Sequence, residues 1–352
     1  MKKTPLVLLM LVLCVTLTGC VDAWFGGIEQ GDDIKPDAEE IPCDHEYVEL
    51  ERTEPMPLKD GEVKHECSIC HEIKVDTIPM TRELRILTIG NSFGDNSLHY
   101  LWGICNSAGM KDAVFGNANI GGASLDNHAS SILLNSNNYS YIKYVGAGTR
   151  DEQTAMHLED ILADEEWDYI AIQQLGHYEG IASKYAQLEM ILDYVIEKCP
   201  NAEIHWYMTW AYQQDSTHSG FAMHNNDQMT MYNAIIETVQ STILTNPKIK
   251  GVIPCGTAMQ NFRTSCYGDN VTKDGYHAKP GIAKYLLSLT WFEYFTGGSF
   301  SDVKNWFPAG SNDGVSLRTE IILYFDVAVE AVENALENPF EITESTYKDP
   351  II

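Results

Sequence analysis

The sequence predicts an α/β fold, with a parallel central sheet covered by helices on both faces and preceded by a small Cys-rich module. From residue 84 onward, short apolar segments alternate with longer segments of helical periodicity, which is the pattern of βαβ units. The chain has 352 residues, of which 44% are hydrophobic, enough to bury one large core. Its first apolar run, residues 84–89, stops at Gly90, and Ser92 and a helical segment follow. These three observations organise the rest of the chain.

The formal net charge of −27 at pH 7 argues against two classes of partner. Nucleic acid requires a basic surface that neutralises phosphates. A polybasic membrane contact requires the same surplus of lysine and arginine. With 23 Lys and Arg against 50 Asp and Glu, we expect neither.

Residues 1–20 predict a targeting segment that is not part of the fold. Lys2 and Lys3 precede an apolar run over residues 6–17, which is short for a bilayer span. The run ends in Leu-Thr-Gly-Cys at residues 17–20, which resembles a bacterial lipobox. The resemblance implies lipidation of Cys20 and an extracytoplasmic protein anchored in the cell membrane; an ordinary signal peptide or a single membrane helix is the alternative. Residues 21–42 are polar and acidic, and we expect a flexible tether.

Residues 43–79 contain a Cys/His cluster with the spacing of a zinc ribbon. Cys67 and Cys70 form a Cys-x-x-Cys pair, and Cys43 and His45 lie upstream. Three thiolates and one imidazole make the tetrahedral ligand set of structural zinc, and a segment with so few apolar residues needs such a staple. The segment also resembles short Cys-rich repeats of surface proteins from Gram-positive anaerobes. A disulfide is the alternative in an oxidising compartment, although three cysteines would leave one unpaired.

The main domain is predicted over residues 83–340, with a tail over residues 341–352. Apolar runs bounded by turn residues predict strands at residues 84–89, 114–117, 141–145, 169–173, 203–208 and 251–254. Helical periodicity predicts helices at residues 98–108, 156–165, 182–198, 226–245, 282–296 and 317–338. Residues 274–281 are predicted to form a loop.

Two short motifs at opposite ends of this domain carry the predicted chemistry. Ser92 follows the first strand in a tight turn, which raises its hydroxyl beside the backbone N–H groups of a helix start. Asp274 and His277 lie three residues apart in the predicted loop. A serine needs a base to take its proton, and an imidazole oriented by a carboxylate is such a base. We therefore expect a triad of Ser92, His277 and Asp274, which needs no cofactor for catalysis.

Four segments together resemble the SGNH hydrolase superfamily, whose members are also called GDSL-like esterases. The resemblance is to a branch that has Gly-Asn-Ser-Phe at the nucleophile, and it implies a flavodoxin-like three-layer α/β/α sandwich that hydrolyses esters. The segments are Ile-Gly-Asn-Ser-Phe at residues 89–93, Asn-Ile-Gly-Gly-Ala-Ser-Leu at 119–125, Trp-Asp-Tyr-Ile-Ala-Ile-Gln-Gln at 167–174 and Asp-Gly-Tyr-His at 274–277.

The oxyanion of the tetrahedral intermediate needs donors that are fixed in advance, each contributing about 3 kcal/mol. We expect the backbone N–H groups of Ser92 and of Gly122 (or Gly121), together with a side-chain amide. The superfamily usually has Gly-x-Asn-Asp after its third strand, whereas this chain has Gln-Gln-Leu-Gly-His at residues 173–177. The longer amide of Gln174 is the expected donor, with Gln173 or His177 as the alternative.

Aromatic side chains at the end of a strand favour a substrate surface, since ligands of open α/β sheets bind there. The candidates are Trp206, Tyr207, Trp210 and Tyr212, with core packing as an equal alternative, and Trp206 and Trp210 are the predicted substrate-binding pair. Arg263 is a candidate for an acidic substrate, or else a surface residue. The remaining histidines, His218 among them, have no ligand spacing and are assigned no role.

The sequence therefore predicts a lipid-anchored serine esterase that removes small acyl groups, O-acetyl foremost. Its expected partner is an acylated glycan or another small ester, because the predicted location and carbohydrate esterases of the superfamily favour one. Two alternatives stay open. One is a catalytically silent glycan-binding lipoprotein of the same fold, and the other is a lipase or thioesterase for longer acyl chains.

Overall fold

The computed structural model describes residues 43–146, 149–303 and 306–351. The predicted leader with Cys20 and the predicted tether lie outside the described residues. Residues 43–45 have no regular secondary structure, and Glu46–Ile352 form one compact unit. Among the helices of the described residues, none has the length and apolar character needed to cross a membrane.

A small antiparallel sheet comes first in the chain. Its strands are β1 (Tyr47–Thr53), β2 (Gly61–Cys67) and β3 (Ile73–Ile78), in the order β1-β2-β3. The loop between β1 and β2 binds the main body through its backbone, since the N–H of Leu58 donates to the carbonyl of Thr296 at 3.0 Å. The N–H of Arg82 likewise donates to the carbonyl of Pro57 at 3.0 Å. These bonds tie the Cys-rich segment to the rest of the compact unit.

The α/β class is confirmed by a central sheet of seven strands in the order β10-β9-β8-β4-β5-β6-β7. Its apolar strand β4 is buried on both faces, as a parallel strand between two helical layers should be. The strands are β4 (Arg85–Gly90), β5 (Val114–Asn119), β6 (Tyr139–Val145), β7 (Thr149–Met156), β8 (Tyr169–Ile172), β9 (Glu203–Tyr207) and β10 (Gly251–Ile253). A two-stranded ribbon, β11 (Ser311–Asn312) and β12 (Val315–Ser316), lies apart from this sheet.

Five of the central strands are parallel and run in the order β5-β4-β8-β9-β10, which is the flavodoxin-like order that the resemblance implied. β6 and β7 differ from the prediction of a wholly parallel sheet, because both pair antiparallel at the edge beyond β5. The link between β6 and β7 is only a few residues long, which permits a hairpin but not a parallel crossover.

Each of the six predicted helices overlaps a described helix. They are α1 (Ser92–Leu98), α2 (Leu101–Ser107), α3 (Leu125–Leu133), α4 (Leu158–Leu162), α5 (Gly176–Glu179), α6 (Leu188–Lys198), α7 (Gln228–Thr238), α8 (Cys255–Arg263), α9 (Ile282–Thr296) and α10 (Leu317–Glu337). Short 3₁₀ segments occupy Ala182–Tyr185, Ser219–His224 and Phe300–Asp302, and Val239–Ile243 is a π turn.

The order of the strands explains why helices cover both faces of the sheet. The chain moves one way from β4 to β5 and the other way from β8 to β9 and β10, so right-handed crossovers fall on opposite faces. Accordingly, α1, α2, α8, α9 and α10 pack together, and α3 and α4 pack on α6. α9 is buried along nearly its whole length, which accounts for its almost continuous apolar sequence. The strand order reverses beside β4, and this is where ligands bind in such sheets.

Candidate active site

Ser92 lies where β4 passes into α1, at the carboxyl end of the central strand. The residue before it fixes this turn, since Asn91 is the N-cap of α1 and its Oδ1 accepts the N–H of Phe93 at 3.1 Å. The Nδ2 of Asn91 donates to the carbonyl of Ala123 at 3.1 Å. Asn91 is only 2% exposed, so both hydrogen bonds are shielded from water. The Gly-Asn-Ser sequence therefore holds Ser92 in a defined place above the sheet.

His277 is held by a short closed loop after α8. Thr272 and Ala278 form an isolated antiparallel bridge, and the N–H of Lys273 donates to the carbonyl of His277 at 2.9 Å. Gly275 has a φ of 90° within this loop, a conformation that favours glycine. A Cβ on Gly275 would also lie 2.6 Å from Oγ of Ser216. The loop thus requires glycine between the aspartate and the histidine.

The two motifs meet, and the three predicted triad side chains form one hydrogen-bonded series. Oγ of Ser92 lies 2.8 Å from Nε2 of His277. Nδ1 of the same ring lies 2.6 Å from Oδ2 of Asp274. An imidazole bonded in this way to a carboxylate carries its proton on Nδ1, which leaves Nε2 to accept the serine proton.

Asp274 remains a carboxylate in this arrangement. Partial burial by itself raises the pKa of Asp274, but the hydrogen bonds from the ring and backbone of His277 outweigh that effect and lower it below its ordinary value. The backbone bond joins the N–H of His277 to Oδ1 of Asp274 at 2.8 Å. The negative charge needed to stabilise an imidazolium is therefore present at neutral pH.

A cavity of about 160 Å³ opens onto the Ser92–His277 pair. Its lining combines glycines and small polar side chains with several aromatic rings. The lining residues are Asn91, Ser92, Phe93, Gly122, Leu175, Gly176, Tyr212, His218, Tyr276 and His277.

Two of the predicted oxyanion donors line this cavity. The N–H of Ser92 lies in the first turn of α1, where no carbonyl of the helix can accept it. Gly122, after β5, has a φ of 65°, and a Cβ there would meet no atom within 4 Å. Glycine therefore leaves this part of the cavity open to a ligand.

The hydrogen bonds of Gln174 contradict the prediction that its amide is an oxyanion donor. Its Oε1 accepts the N–H groups of Leu125 at 3.0 Å and Leu175 at 2.8 Å, and its Nε2 donates to the carbonyl of Lys184 at 2.8 Å. The side chain is completely buried. Gln174 joins the segment after β8 to the start of α3, so its amide is not presented to the cavity.

The alternatives to Gln174 are also engaged elsewhere. Nε2 of Gln173 donates to Oδ1 of Asn91 at 2.9 Å. A Cβ on Gly90 would lie 2.3 Å from Cγ of Gln173, so Gly90 makes room for this amide. His177 has Nδ1 at 3.2 Å from the hydroxyl of Tyr212, and burial lowers the pKa of His177 to about 4. The amide of Gln173 therefore stabilises the turn at Asn91 that holds Ser92.

The three residues predicted to bind substrate are buried in the core, so the prediction that they contact substrate is wrong. Trp206 and Trp210 are fully buried. The Arg263 side chain is 2% exposed; its Nε lies 2.8 Å from Oδ1 of Asp269, and Nη2 donates to the carbonyl of Ala211 at 2.9 Å. The core-packing alternative holds for the two tryptophans, and the arginine is a buried ion-pair partner.

The aromatic residues that line the cavity include Tyr212, His218 and Tyr276; the sequence indicated Tyr212 as a candidate, but not His218 or Tyr276. Tyr276 lies inside the Asp-x-x-His motif itself, so its position beside His277 could have been inferred. Tyr212 and His218 lie in the long segment after β9. The rule that ligands bind beyond the carboxyl ends of parallel strands indicated Tyr212 in that segment, but it did not indicate His218, which is further along the chain.

Two of the predicted zinc ligands, Cys67 and Cys70, lie at the end of β2 and in the turn that follows it, and the other two, Cys43 and His45, precede β1 in the chain. The Cys-x-x-Cys pair forms the turn between β2 and β3, in which the N–H of His71 donates to the carbonyl of Cys67 at 2.9 Å. A set of three thiolates and one imidazole fits tetrahedral zinc.

Fold and site together define an α/β protein with a Ser-His-Asp triad at the carboxyl edge of its parallel strands. Residues 85–311 match the family described as "Domain of unknown function (DUF4886)". The chain belongs to this family.

Solved structures give further likenesses. A DUF4886 family protein from Bacteroides uniformis ATCC 8492 is 34% identical, with a TM-score of 0.68 over 74% of this chain and 98% of that chain. A protein from Slackia heliotrinireducens, provisionally described as an SGNH hydrolase, is 19% identical, with a TM-score of 0.38 over 61% of this chain and 100% of that chain. An extracellular lipase from Streptomyces rimosus is 12% identical, with a TM-score of 0.34 over 59% of this chain and 99% of that chain. A search of curated proteins found no match.

Proposed function

We propose that this protein is a serine esterase of the SGNH type, which removes short acyl groups, O-acetyl foremost, from glycans outside the cytoplasm. The hydrogen-bonded series from Ser92 through His277 to Asp274 carries the proposal. Such a series at the mouth of a cavity can form and break an acyl-enzyme without a cofactor.

In the first half of the reaction, Oγ of Ser92 attacks the ester carbonyl while Nε2 of His277 takes the hydroxyl proton. The carbonyl oxygen becomes an oxyanion, which the N–H groups of Ser92 and Gly122 stabilise. Collapse of the intermediate breaks the bond to the alcohol, and His277 returns the proton to the departing oxygen. The products of this half are the free alcohol and an acyl ester of Ser92.

In the second half, water takes the place of the alcohol. Nε2 of His277 removes a proton from the water as it attacks the acyl-enzyme, and then gives that proton to Oγ of Ser92. Asp274 stays ionised throughout and stabilises the imidazolium. The acid is released and Ser92 is regenerated.

The size of the cavity supports a short acyl group. Its volume of about 160 Å³ lies below the ~300–1,000 Å³ of most drug-sized ligand sites. An acetyl group fits, and a long acyl chain would have to extend beyond it. This favours a short-chain esterase over a lipase or thioesterase.

The test is fluorophosphonate labelling combined with a series of p-nitrophenyl esters of increasing chain length. We expect label on Ser92 and the highest kcat/KM with acetate, with both signals lost in Ser92→Ala. A maximum at long chains would favour a lipase or thioesterase. An unlabelled protein without esterase activity would favour a silent glycan-binding protein.

The glycan part of the proposal rests on the predicted extracytoplasmic location. Release of acetate from an acetylated polysaccharide, measured against Ser92→Ala, tests the substrate.

The predicted lipid anchor has its own test, since Cys20→Ala should move the protein from the membrane fraction to the soluble fraction of expressing bacteria.

We also propose that Cys43, His45, Cys67 and Cys70 hold a structural zinc ion. The donor set of three thiolates and one imidazole, with two of the thiolates in a Cys-x-x-Cys turn, supports zinc. When bound, the ion would stabilise the small β-sheet and take no part in ester hydrolysis.

A further inference from the structure

We propose that His218 binds the alcohol part of the ester through its Nε2–H group, and that this contact selects acetyl esters of polyols, such as sugars, over esters of apolar alcohols. The inference rests on the proposed esterase function and adds the substrate feature that one side chain of the cavity recognises.

His218 presents a donor at a defined atom. It is the N-cap of the 3₁₀ segment Ser219–His224, and its Nδ1 accepts the N–H of Gly220 at 3.0 Å. A neutral imidazole whose Nδ1 accepts must carry its proton on Nε2. Within the part of the chain that the structure describes, no hydrogen bond engages Nε2 of this ring. Partial burial and the proximity of His277 lower the pKa of His218, which favours that neutral form at neutral pH.

Aromatic neighbours hold the ring of His218 in place. Its centroid lies 4.8 Å from that of Tyr276, 5.1 Å from that of Tyr212 and 5.1 Å from that of His177. The hydrogen bond to Gly220 fixes the rotation of the ring within this cluster. The donor is therefore oriented before any substrate arrives, which reduces the entropy cost of binding.

The chemistry of the triad places the alcohol of the substrate on this side of the cavity. The carbonyl oxygen points toward the N–H groups of Ser92 and Gly122, which follow the neighbouring strands β4 and β5. The alcohol oxygen must reach Nε2 of His277, because that atom supplies its proton. Tyr276 adjoins His277 in the chain and packs on His218. The alcohol thus lies along the wall that contains His218.

This wall combines aromatic ring faces with the Nε2–H donor of His218. A sugar ring offers C–H groups to aromatic faces and oxygens to a donor, so both features are used. An apolar alcohol would cover the Nε2–H of His218 without giving it an acceptor, which costs free energy. The wall therefore favours alcohols that carry oxygen atoms close to the ester.

A matched pair of substrates isolates this contact. Methyl 6-O-acetyl-glucoside and cyclohexylmethyl acetate both carry a primary acetate on a six-membered ring, but only the first has ring oxygens and hydroxyls. The readout is the ratio of their kcat/KM values, measured on one preparation. A partly unfolded variant lowers both values equally and leaves the ratio unchanged.

Two substitutions of His218 distinguish the effect of its Nε2–H donor from the effect of its role as N-cap of the segment Ser219–His224. His218→Asn keeps an oxygen that can accept the N–H of Gly220, but it is too short to reach the substrate. His218→Gln extends an amide N–H to about the position of Nε2. We expect the ratio to fall about five- to tenfold in His218→Asn and to recover at least in part in His218→Gln. The exposed neighbour Thr217→Val serves as the control and should keep the wild-type ratio.

The outcomes distinguish this inference from the function on which it rests. A wild-type ratio in His218→Asn, with both substrates hydrolysed, overturns the role of His218 and leaves the esterase proposal standing. A wild-type protein that hydrolyses neither ester and is not labelled at Ser92 overturns the proposed function and this inference with it. A ratio that falls equally in His218→Asn and His218→Gln shows that the helix cap matters and that the donor does not.

Discussion

Trp210 lies flat against Phe93, with ring centroids 4.4 Å apart and ring planes within 8° of each other. Its Nε1–H also donates to the carbonyl of Tyr276 at 2.7 Å. Phe93 follows Ser92 in the chain and Tyr276 precedes His277. One fully buried side chain therefore contacts a neighbour of Ser92 and a neighbour of His277. The sequence suggested that Trp210 meets the substrate, whereas the structure shows that it braces the residues around the pair.

Trp210→Phe should separate these two contacts. Phenylalanine keeps a ring against Phe93 but lacks the indole N–H, so the carbonyl of Tyr276 loses its donor and the His277 loop is less firmly placed. We expect kcat to fall about tenfold with KM nearly unchanged, because loss of alignment acts on the transition state. The check is steady-state kinetics with p-nitrophenyl acetate. A large rise in KM with unchanged kcat would indicate instead that Trp210 contacts the substrate.

Ser92→Ala and His277→Ala should each reduce kcat by about three orders of magnitude or more. The two side chains act as one unit through the 2.8 Å hydrogen bond, so the double variant should be no slower than either single variant. Kinetics of the three variants tests this, with far-UV circular dichroism confirming that each is folded. Effects that add up would mean that the two residues do not act in the same step.

Gln174→Leu should destabilise the fold more than it impairs catalysis. The substitution leaves the N–H groups of Leu125 and Leu175 and the carbonyl of Lys184 without their partners. Each buried unpaired group costs about 1–3 kcal/mol, so the midpoint of thermal unfolding should fall by many degrees. An oxyanion donor would behave differently, since its loss would cut kcat about a hundredfold or more with little change in thermal stability.

The fold was predictable because its signals are local or periodic. The apolar run before Gly90 and the β-branched runs of the later strands mark buried parallel strands, and the turn at Asn91 marks a helix start. The antiparallel β7 was missed because Thr149–Met156 is polar, and a strand at an exposed edge does not need an apolar face. The predicted helix at 98–108 corresponds to α2 (Leu101–Ser107), whereas α1, which Asn91 caps at Ser92, begins earlier than periodicity alone suggested.

The site was predictable only where a motif fixes its own geometry. Asp274 and His277 share one loop, so their spacing alone indicates that they form a hydrogen bond. Gly122 was predicted as an oxyanion donor because it belongs to the Gly-Gly pair at residues 121–122. Gln174 was assigned to the oxyanion hole and Trp210 to the substrate surface because of their chemical type and their position at the end of a strand. Their actual partners include Leu125 and Tyr276, which are distant in sequence, and only tertiary structure shows that each polar group is already occupied.

Glu179 should make stability depend on pH. Its carboxyl group is fully buried at the end of α5, where it accepts the N–H of Thr209 at 2.9 Å and bonds the hydroxyl of the same residue. Burial raises the pKa of Glu179 from 4.5 to about 8. Between these pH values the folded protein keeps a proton that the unfolded chain has lost. The free energy of unfolding should therefore fall as pH rises through this window, by up to about 1.4 kcal/mol per pH unit from this group.

Glu179→Gln is the matched variant, because an uncharged amide can still bond to Thr209. Urea unfolding of both proteins at several pH values between 4.5 and 8 gives the measurement. We expect the difference in unfolding free energy between variant and wild type to shift in favour of the variant as pH rises. A difference that does not change with pH would show that Glu179 carries no proton in the folded protein over this range.

Removal of zinc should loosen the small β-sheet and leave ester hydrolysis nearly unchanged. Purified full-length protein should contain about one zinc per chain by elemental analysis, and Cys70→Ser should lose most of it. Cys199→Ser is the control, since this thiol bonds the carbonyl of Leu162 outside the proposed site.

Chelation should speed hydrogen exchange in β2 and β3, because a structural ion contributes its binding energy to the local fold. Zinc-free protein with Cys67 and Cys70 oxidised would favour a disulfide instead. Loss of p-nitrophenyl acetate hydrolysis on chelation would place the metal in the reaction and contradict a mechanism carried by Ser92 and His277 alone.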